Sequence, residues 1–225
     1  RSRTDAVSMA AGTWSPPLPN GWLYRPPIPA PVLPAAPPKP AAPLATRSLS
    51  IFGTSDDQAR RKVQLIRDLV VKPALGPGPN GMAFTRGLLA EALGRTPAKA
   101  ANGYAQSAMA VRIFEWVKGR IRYTKDPAGR ELFQQLPALL RMGTGDCDDF
   151  TAILAALFTA AGIKVRARII RVKQGQPWAH IYPVAFLDGK WRAFDGALPP
   201  SLDQRVGKPG FEYPNPAQRL DLEIA

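Results

Sequence analysis

The stretch that decides the fold is GDCDDFTAILAALFTAAG, residues 145–162. Its large apolar residues, among them Phe150 and Leu157, recur at helical spacing, and Gly162 follows them as a C-terminal cap. Because apolar side chains cover most of its circumference, we expect this helix to be central and buried. Its first turn holds Cys147, the single cysteine of the 225-residue chain.

The segments around this helix predict an α+β domain. Helical patterns precede it, in residues 54–73, 82–94 and 103–119. Strand-like runs follow it, in residues 164–172, 179–187 and 190–195. The first of these runs alternates basic and apolar residues, which predicts a strand with one solvent-facing side. The pair Asp188-Gly189 predicts a tight antiparallel hairpin between the other two. We therefore expect a central helix packed on a small antiparallel sheet, with further helices N-terminal to it.

The two ends of the chain differ from this middle part, residues 51–200. Residues 1–50 hold 12 of the 25 prolines and show no helical or alternating period. Proline favours extended backbone and cannot donate to a ladder, so this segment is predicted to be an arm or linker without its own core. Alternatively, the arm docks along a protein partner through its apolar anchors Trp14, Trp22, Leu23 and Tyr24. Residues 201–225 are predicted to be a tail that wraps the surface.

The composition narrows the classes of function. The formal net charge is +13, which favours acidic partners in general. The basic residues are spread along the chain without interleaved aromatics, which argues against nucleic-acid binding as the main function. No run of eighteen apolar residues occurs, so no membrane-spanning helix is expected. One cysteine and one histidine exclude an internal disulfide and a structural zinc site of the Cys/His type.

Three residues form a candidate catalytic group. Cys147 lies at a helix start, where free N–H groups and the helix dipole favour a thiolate. His180 begins the second strand-like run and Asp195 ends the third, so both lie away from the hairpin tip and can be neighbours on adjacent strands. This order predicts a nucleophile, a base and an orienting carboxylate. The alternative is that the cysteine is a small buried hydrophobe and the histidine a structural residue.

These segments resemble the transglutaminase-like superfamily of papain-like cysteine enzymes. The resemblance covers about residues 105–200 and is closest to bacterial and phage-encoded members. Its signature is G-x-C at a helix start, a strand with histidine, and an aromatic-x-x-x-Asp strand end, matched by GDCDD and AHIYPVAFLDGKWRAFD. The lead-in IFEWVKGRIRYTKDP, residues 113–127, fits as well.

The resemblance implies an acyl-transfer enzyme acting on protein or peptide amides, with Cys147 as nucleophile, His180 as general base and Asp195 as its orienting partner. Hydrolysis, as in a peptidase or amidase, is favoured over protein cross-linking. A docking component of a phage particle that keeps the fold is the alternative from another class, and a bacterial or phage-associated location is implied. Backbone N–H groups near the cysteine would form part of the oxyanion hole; the side-chain donor stays open among Gln134, Gln135, Trp116 and Tyr123.

The acidic residues beside the cysteine allow two interpretations. Asp148 and Asp149 can simply complement the dipole in the first helical turn. The resemblance also implies that calcium can bind beside the cysteine, with Asp146 and Asp148 as ligands, although no cofactor is required. Trp178 is expected either to border the cleft near His180 or to be exposed on the hairpin.

Overall fold

The computed structural model describes residues 46–47, 55–94, 103–127, 131–197 and 216–225. The proposed anchors of the arm and most of the tail lie outside these ranges. The division into arm, domain and tail therefore stays a prediction. Within the described ranges, every helix is too short or too polar to cross a lipid bilayer.

Among the described residues, five α-helices precede the cysteine segment: α1 (Asp56–Ile66), α2 (Lys72–Leu75), α3 (Met82–Leu93), α4 (Gly103–Arg120) and α5 (Leu136–Met142). Ser55 caps α1, and its hydroxyl accepts the Gln58 N–H at 3.3 Å. A π-helical turn, Arg67–Val71, joins α1 to α2. The helical path thus continues past Pro73, the last residue of the predicted helical pattern, and ends at Leu75. The wider turn just before Pro73 relieves the clash that a proline ring makes with an ordinary helical turn.

The helix α6 (Cys147–Ala160) is the centre of the fold, as the sequence predicted. All its residues from Cys147 to Phe158 are buried. It packs between α3 and α4 on one side and a four-stranded sheet on the other. The sheet has the order β7-β6-β5-β8 with antiparallel neighbours, formed by β5 (Val165–Arg171), β6 (His180–Leu187), β7 (Lys190–Ala193) and β8 (Gln218–Glu223).

The predicted hairpin between β6 and β7 is present. Asp188 and Gly189 form its tip with φ angles of 51° and 75°. Positive φ at both central residues is the geometry of a type I′ turn, whose twist matches that of the flanking strands. The turn sets the register, with Leu187 opposite Lys190 and Val184 opposite Ala193.

Two features of the sheet differ from the prediction. β8 lies in the segment predicted to be a surface tail, yet it pairs with β5 as a fourth strand. The solvent-facing side expected for β5 is also wrong, because β5 is a central strand and Arg168 is only 6% exposed. Its guanidinium donates to both carboxylate oxygens of Asp221 on β8, each at 2.6 Å. Paired arginines on a central strand give the same sequence alternation as solvated ones.

Two short strand pairs complete the described architecture. β1 (Thr46–Arg47) pairs antiparallel with β3 (Glu131–Leu132), and β2 (Arg122–Tyr123) pairs parallel with β4 (Thr144–Gly145). In the second pair Tyr123 stands opposite Gly145, two residues before the cysteine. This ladder positions the lead-in segment beside the start of α6.

Candidate active site

The cysteine sits at a capped helix start. Asp146 is the N-cap of α6, and its Oδ1 accepts the N–H groups of Asp148 at 2.9 Å and Asp149 at 3.4 Å. In return, Asp149 Oδ2 accepts the Asp146 N–H at 3.3 Å. This reciprocal capping box satisfies backbone donors that a helix start leaves unpaired. Cys147, the first residue of α6, is thereby held in a fixed position.

Gly145 leaves the space in which this cap forms. A Cβ at position 145 would lie 2.7 Å from Asp149 Cβ and 2.8 Å from Leu139 Cδ1. Both neighbours are buried, so neither can move aside without disturbing the cap or the core. The glycine of the G-x-C pattern is therefore required by close packing around the N-cap.

His180 and Asp195 are in contact. His180 is the first residue of β6. The chain after β7 stays beside β6, because the Phe194 N–H donates to the Pro183 carbonyl at 2.9 Å. His180 Nε2 lies 2.6 Å from Asp195 Oδ2, and Asp195 Oδ1 accepts the Ala197 N–H at 3.1 Å. Because Nε2 is engaged by the carboxylate, Nδ1 is the ring nitrogen that can exchange a proton with another group.

The sulfur meets the strand that carries the histidine. The backbone N–H of Ile181, the residue after His180, is near enough to the Cys147 sulfur to lower the pKa of the thiol, and α6 packs against β6. The start of α6 and the start of β6 therefore lie near each other. Cys147 is 9% exposed, and the His180 side chain is 12% exposed. A reagent in solution thus has narrow access to this region.

The local charges favour a protonated cysteine. Burial raises the pKa of the Cys147 thiol well above its usual value, and the nearby charges of Asp148 and Asp146 add to the rise. Lys62 and the Ile181 N–H act in the opposite direction. The thiol donates to Asp148 Oδ1 at 3.5 Å. The helix dipole alone would favour a thiolate, but burial and the adjacent carboxylates outweigh it.

Five carboxylates surround this position, and we call them the acidic cluster: Asp126, Glu131, Asp146, Asp148 and Asp149. Burial, with added repulsion from Asp148, raises the pKa of Asp146 to about 9, of Asp149 to about 8 and of Glu131 to about 7. Part of the cluster therefore carries protons at neutral pH.

A lysine from α1, which was not among the residues predicted for the site, reaches into the acidic cluster. Lys62 Nζ lies 3.0 Å from Asp148 Oδ2 and 3.3 Å from Glu131 Oε2. The sequence does contain a pattern that indicates a buried position for Lys62, because it falls on the same helical stripe as the buried residues Ala59, Val63 and Ile66. A cation on an apolar stripe indicates a buried partner.

The predicted calcium ligands do not fit a calcium ion well. Single donor atoms of Asp146, Cys147 and Asp148 lie within 4.8 Å of one another, as do those of Asp126, Glu131 and Asp146. However, Asp146 Oδ1 already accepts two backbone N–H groups, and Asp148 pairs with the Lys62 ammonium. Calcium needs six or more oxygens. A divalent ion would also lie close to a buried positive charge.

Three of the four candidates for the side-chain oxyanion donor have contacts of their own, and the choice among them stays a prediction. Gln134 supports the cap, since its N–H and its Nε2 donate to the two Asp149 oxygens at 3.4 and 3.3 Å. Gln135 is the N-cap of α5. Trp116 is stacked under the Arg120 guanidinium at 4.7 Å.

Tyr123 is the candidate whose pKa responds to the charge at Cys147. Burial raises its pKa to about 12, and the charges of Cys147 and Asp146 contribute to that rise. The phenol therefore keeps its proton across the physiological range. Its position opposite Gly145 places it at the start of α6, where it remains 43% exposed.

Trp178 is not the exposed hairpin aromatic that was one of its two interpretations. It is 7% exposed, and the Arg171 guanidinium stacks on its ring at 4.7 Å. It lies two residues before His180, and it packs as part of the main core. Its expected position at the border of a cleft stays a prediction.

Comparison with known proteins finds a family model that matches part of the chain. Residues 94–196 match the model of the transglutaminase-like superfamily, a range that includes the cysteine, the histidine and Asp195. Lys62 lies outside it. No curated protein matches the chain.

Similar solved structures come from proteins that are longer than the shared region. A candidate cysteine protease from Cytophaga hutchinsonii is 22% identical with a TM-score of 0.40, over 56% of this chain and 41% of that one. A TGase is 15% identical with a TM-score of 0.34, over 66% and 35%. A candidate protease from Parabacteroides distasonis is 12% identical with a TM-score of 0.47, over 80% and 36%. The match thus covers between 35% and 41% of each of these structures.

Proposed function

We propose that this chain, whose residues 94–196 form a transglutaminase-like domain, is a cysteine-dependent acyl-transfer enzyme that hydrolyses protein or peptide amide bonds. The observation that carries the proposal is the 2.6 Å contact between His180 Nε2 and Asp195 Oδ2, beside the Ile181 N–H that lowers the pKa of the Cys147 thiol. A thiol, an imidazole and a buried carboxylate in this order are the parts of a nucleophilic triad.

The proposed reaction begins with a neutral thiol. Because the Cys147 pKa is raised, the sulfur attacks the amide carbonyl carbon while its proton passes to His180 Nδ1. Asp195 holds the ring by Nε2 and stabilises the imidazolium. The backbone N–H of Cys147 and the Tyr123 hydroxyl would donate to the oxyanion.

The remaining steps return the enzyme to its starting state. His180 gives its proton to the leaving amine, the carbon–nitrogen bond breaks, and a thioester on Cys147 remains. Water then attacks the thioester while His180 accepts a water proton. The carbon–sulfur bond breaks, the carboxylic acid product leaves, and His180 returns the proton to the sulfur.

The non-enzymatic alternative is a docking component, for example in a phage particle, that keeps the fold. One observation favours it, namely that the thiol is buried and its pKa is raised well above the usual value. A cysteine of this kind is inert unless a neighbouring base removes its proton. The two functions therefore differ in whether His180 controls the reactivity of Cys147.

The discriminating experiment measures labelling of the single cysteine by iodoacetamide at pH 8, followed by intact mass in the full chain. We expect His180→Ala to slow labelling by about tenfold or more, since the base that accepts the thiol proton is gone. Lys190→Ala, on the exposed edge of the same sheet, is the matched control and should label at the wild-type rate. Equal rates in wild type and His180→Ala would leave the docking function as the better account.

Hydrolysis and cross-linking are separated with one mixture. A glutamine-rich protein substrate and a fluorescent amine are incubated with the wild type and with Cys147→Ala. Cleavage that requires Cys147 supports hydrolysis. Amine incorporation without cleavage would replace the proposal with a cross-linking activity.

A further inference from the structure

Lys62 reaches the site from α1, outside the region that matches the family model. Its side chain is 13% exposed, and its Nζ lies 3.0 Å from Asp148 Oδ2 and 3.3 Å from Glu131 Oε2. A third contact joins the same ammonium to Glu131 Oε1 at 3.4 Å. A buried ammonium between two carboxylates is a compact cation site made entirely from the chain itself.

The charge of Lys62 acts on several members of the acidic cluster. Burial raises the pKa of Glu131 and of Asp146, and in both cases the Lys62 charge works against that rise. It works in the same direction on the pKa of the Cys147 thiol, where burial and Asp148 dominate. The lysine therefore partly offsets the repulsion that the carboxylates exert on one another and on the sulfur.

We propose that the Lys62 ammonium is the built-in cation of the acidic cluster: it stands where a divalent ion would otherwise balance these carboxylates, it holds Asp148 beside Cys147, and it makes the site independent of calcium. Lys62 is thus a positioning residue and does not touch the reacting bond. The proposal depends on the contacts of the ammonium and holds for hydrolysis, cross-linking or docking alike.

The consequences of removing this cation follow from its partners. Without the ammonium, Asp148 and Glu131 remain as two buried carboxylates without their shared counter-charge, and breaking such a pair is costly. The Asp148 carboxylate, whose Oδ1 accepts from the thiol, then loses the Lys62 contact that holds its Oδ2. Arginine keeps the charge and the donors, so Lys62→Arg should preserve the arrangement more fully than a neutral residue.

The first measurement tests calcium independence on the wild-type chain. We expect the same melting temperature and the same Cys147 labelling rate in EDTA and in millimolar calcium chloride. A specific calcium ion at about 100 times its dissociation constant would raise the melting temperature by several degrees. Such a rise, or slower labelling in EDTA, would overturn the proposal. The melting temperature tests calcium binding even if Cys147 is not catalytic.

The second measurement tests the charge of Lys62. We expect Lys62→Met to label at Cys147 at least tenfold more slowly than wild type, since removing one partner leaves uncompensated carboxylate charge beside the thiol. Lys62→Arg, which keeps the charge, should stay within about threefold. Lys72→Met is the matched control, because Lys72 is 60% exposed in its pair with Asp68. Wild-type labelling in Lys62→Met would refute the role.

A double variant keeps the test decisive if Lys62→Met does not fold. Lys62→Met with Asp148→Asn removes both charges of the pair, and we expect it to fold and to label at least as fast as wild type. Contacting residues should be non-additive in this way. A double variant that is as unstable, or as slow, as the single one would show that Lys62 acts through packing alone and would contradict the proposal.

Discussion

Replacing Asp195 with asparagine tests whether the carboxylate controls the histidine tautomer. Asp195 uses one oxygen for His180 Nε2 at 2.6 Å and the other for the Ala197 N–H at 3.1 Å. Asparagine has one oxygen and one NH₂ group. If its oxygen stays with the backbone N–H, the NH₂ group faces Nε2 and moves the ring proton to Nδ1. The imidazole can then no longer accept the thiol proton at Nδ1.

The size of the effect follows from the lost bond. Asp195 is 1% exposed, so its bond to the imidazolium is a buried, charge-assisted one worth about 1.5–3 kcal/mol. At about 1.4 kcal/mol per factor of ten, proton transfer from Cys147 to His180 becomes roughly 10- to 150-fold less favourable. The labelling rate should fall by the same factor, since only the thiolate reacts.

The assay is iodoacetamide labelling at pH 8, with melting curves to confirm that each variant is folded. Asp195→Ala is informative beside Asp195→Asn, because alanine imposes no tautomer. We therefore expect the asparagine variant to be at least as slow as the alanine variant, although it is the more conservative change. Asp188→Asn on the hairpin tip is the control and should label normally. An Asp195→Asn variant within threefold of wild type would refute the tautomer argument.

Three further predictions concern the surroundings of the site. Gly145→Ala should lower the free energy of unfolding by about 1–3 kcal/mol through overpacking. Gly87 is an exposed helical residue with open space around it, so Gly87→Ala should instead raise the free energy of unfolding by about 0.5–1 kcal/mol. Chemical denaturation measures both values, and equal effects of the two substitutions would contradict the packing argument. Asp148→Asn should speed labelling of Cys147 at pH 8, because a charge that raises the thiol pKa is gone while Lys62 remains; a slower rate would oppose this. The melting temperature should decrease as the pH is raised from 5 to 9. In the folded protein the pKa values of Glu131, Asp149 and Asp146 are raised to about 7, 8 and 9, so these carboxyls bind more protons when folded than when unfolded. A melting temperature that increases with pH in calorimetry would contradict this prediction.

The central part of the fold was predictable because its signals are local. The apolar surface of α6 and its glycine cap follow from residues within one helix. The Asp188-Gly189 turn fixes the hairpin register, and that register brings His180 to Asp195 across adjacent strands. Patterns that span fewer than twenty residues were therefore enough to identify the candidate site.

The missed features depend on contacts between distant segments. β8 pairs with β5 across more than forty intervening residues, and its short alternating run reads as a tail when taken alone. Lys62 is 86 positions from its partner Asp148. A lysine in a helical pattern usually faces solvent, so only its place on an apolar stripe distinguished it. Long-range ion pairing of this kind leaves little trace in a single sequence.

The most direct test of the account uses the single imidazole of the chain. Nitrogen-15 NMR of His180 in the folded protein reports which ring nitrogen carries the proton, without interference from another histidine. We predict the Nε2–H tautomer, with that proton strongly downfield through its bond to Asp195, and a change at Nδ1 when Cys147 is alkylated. An Nδ1–H tautomer, or an Nδ1 signal that does not change when Cys147 is alkylated, would contradict the claim that Cys147, His180 and Asp195 act together.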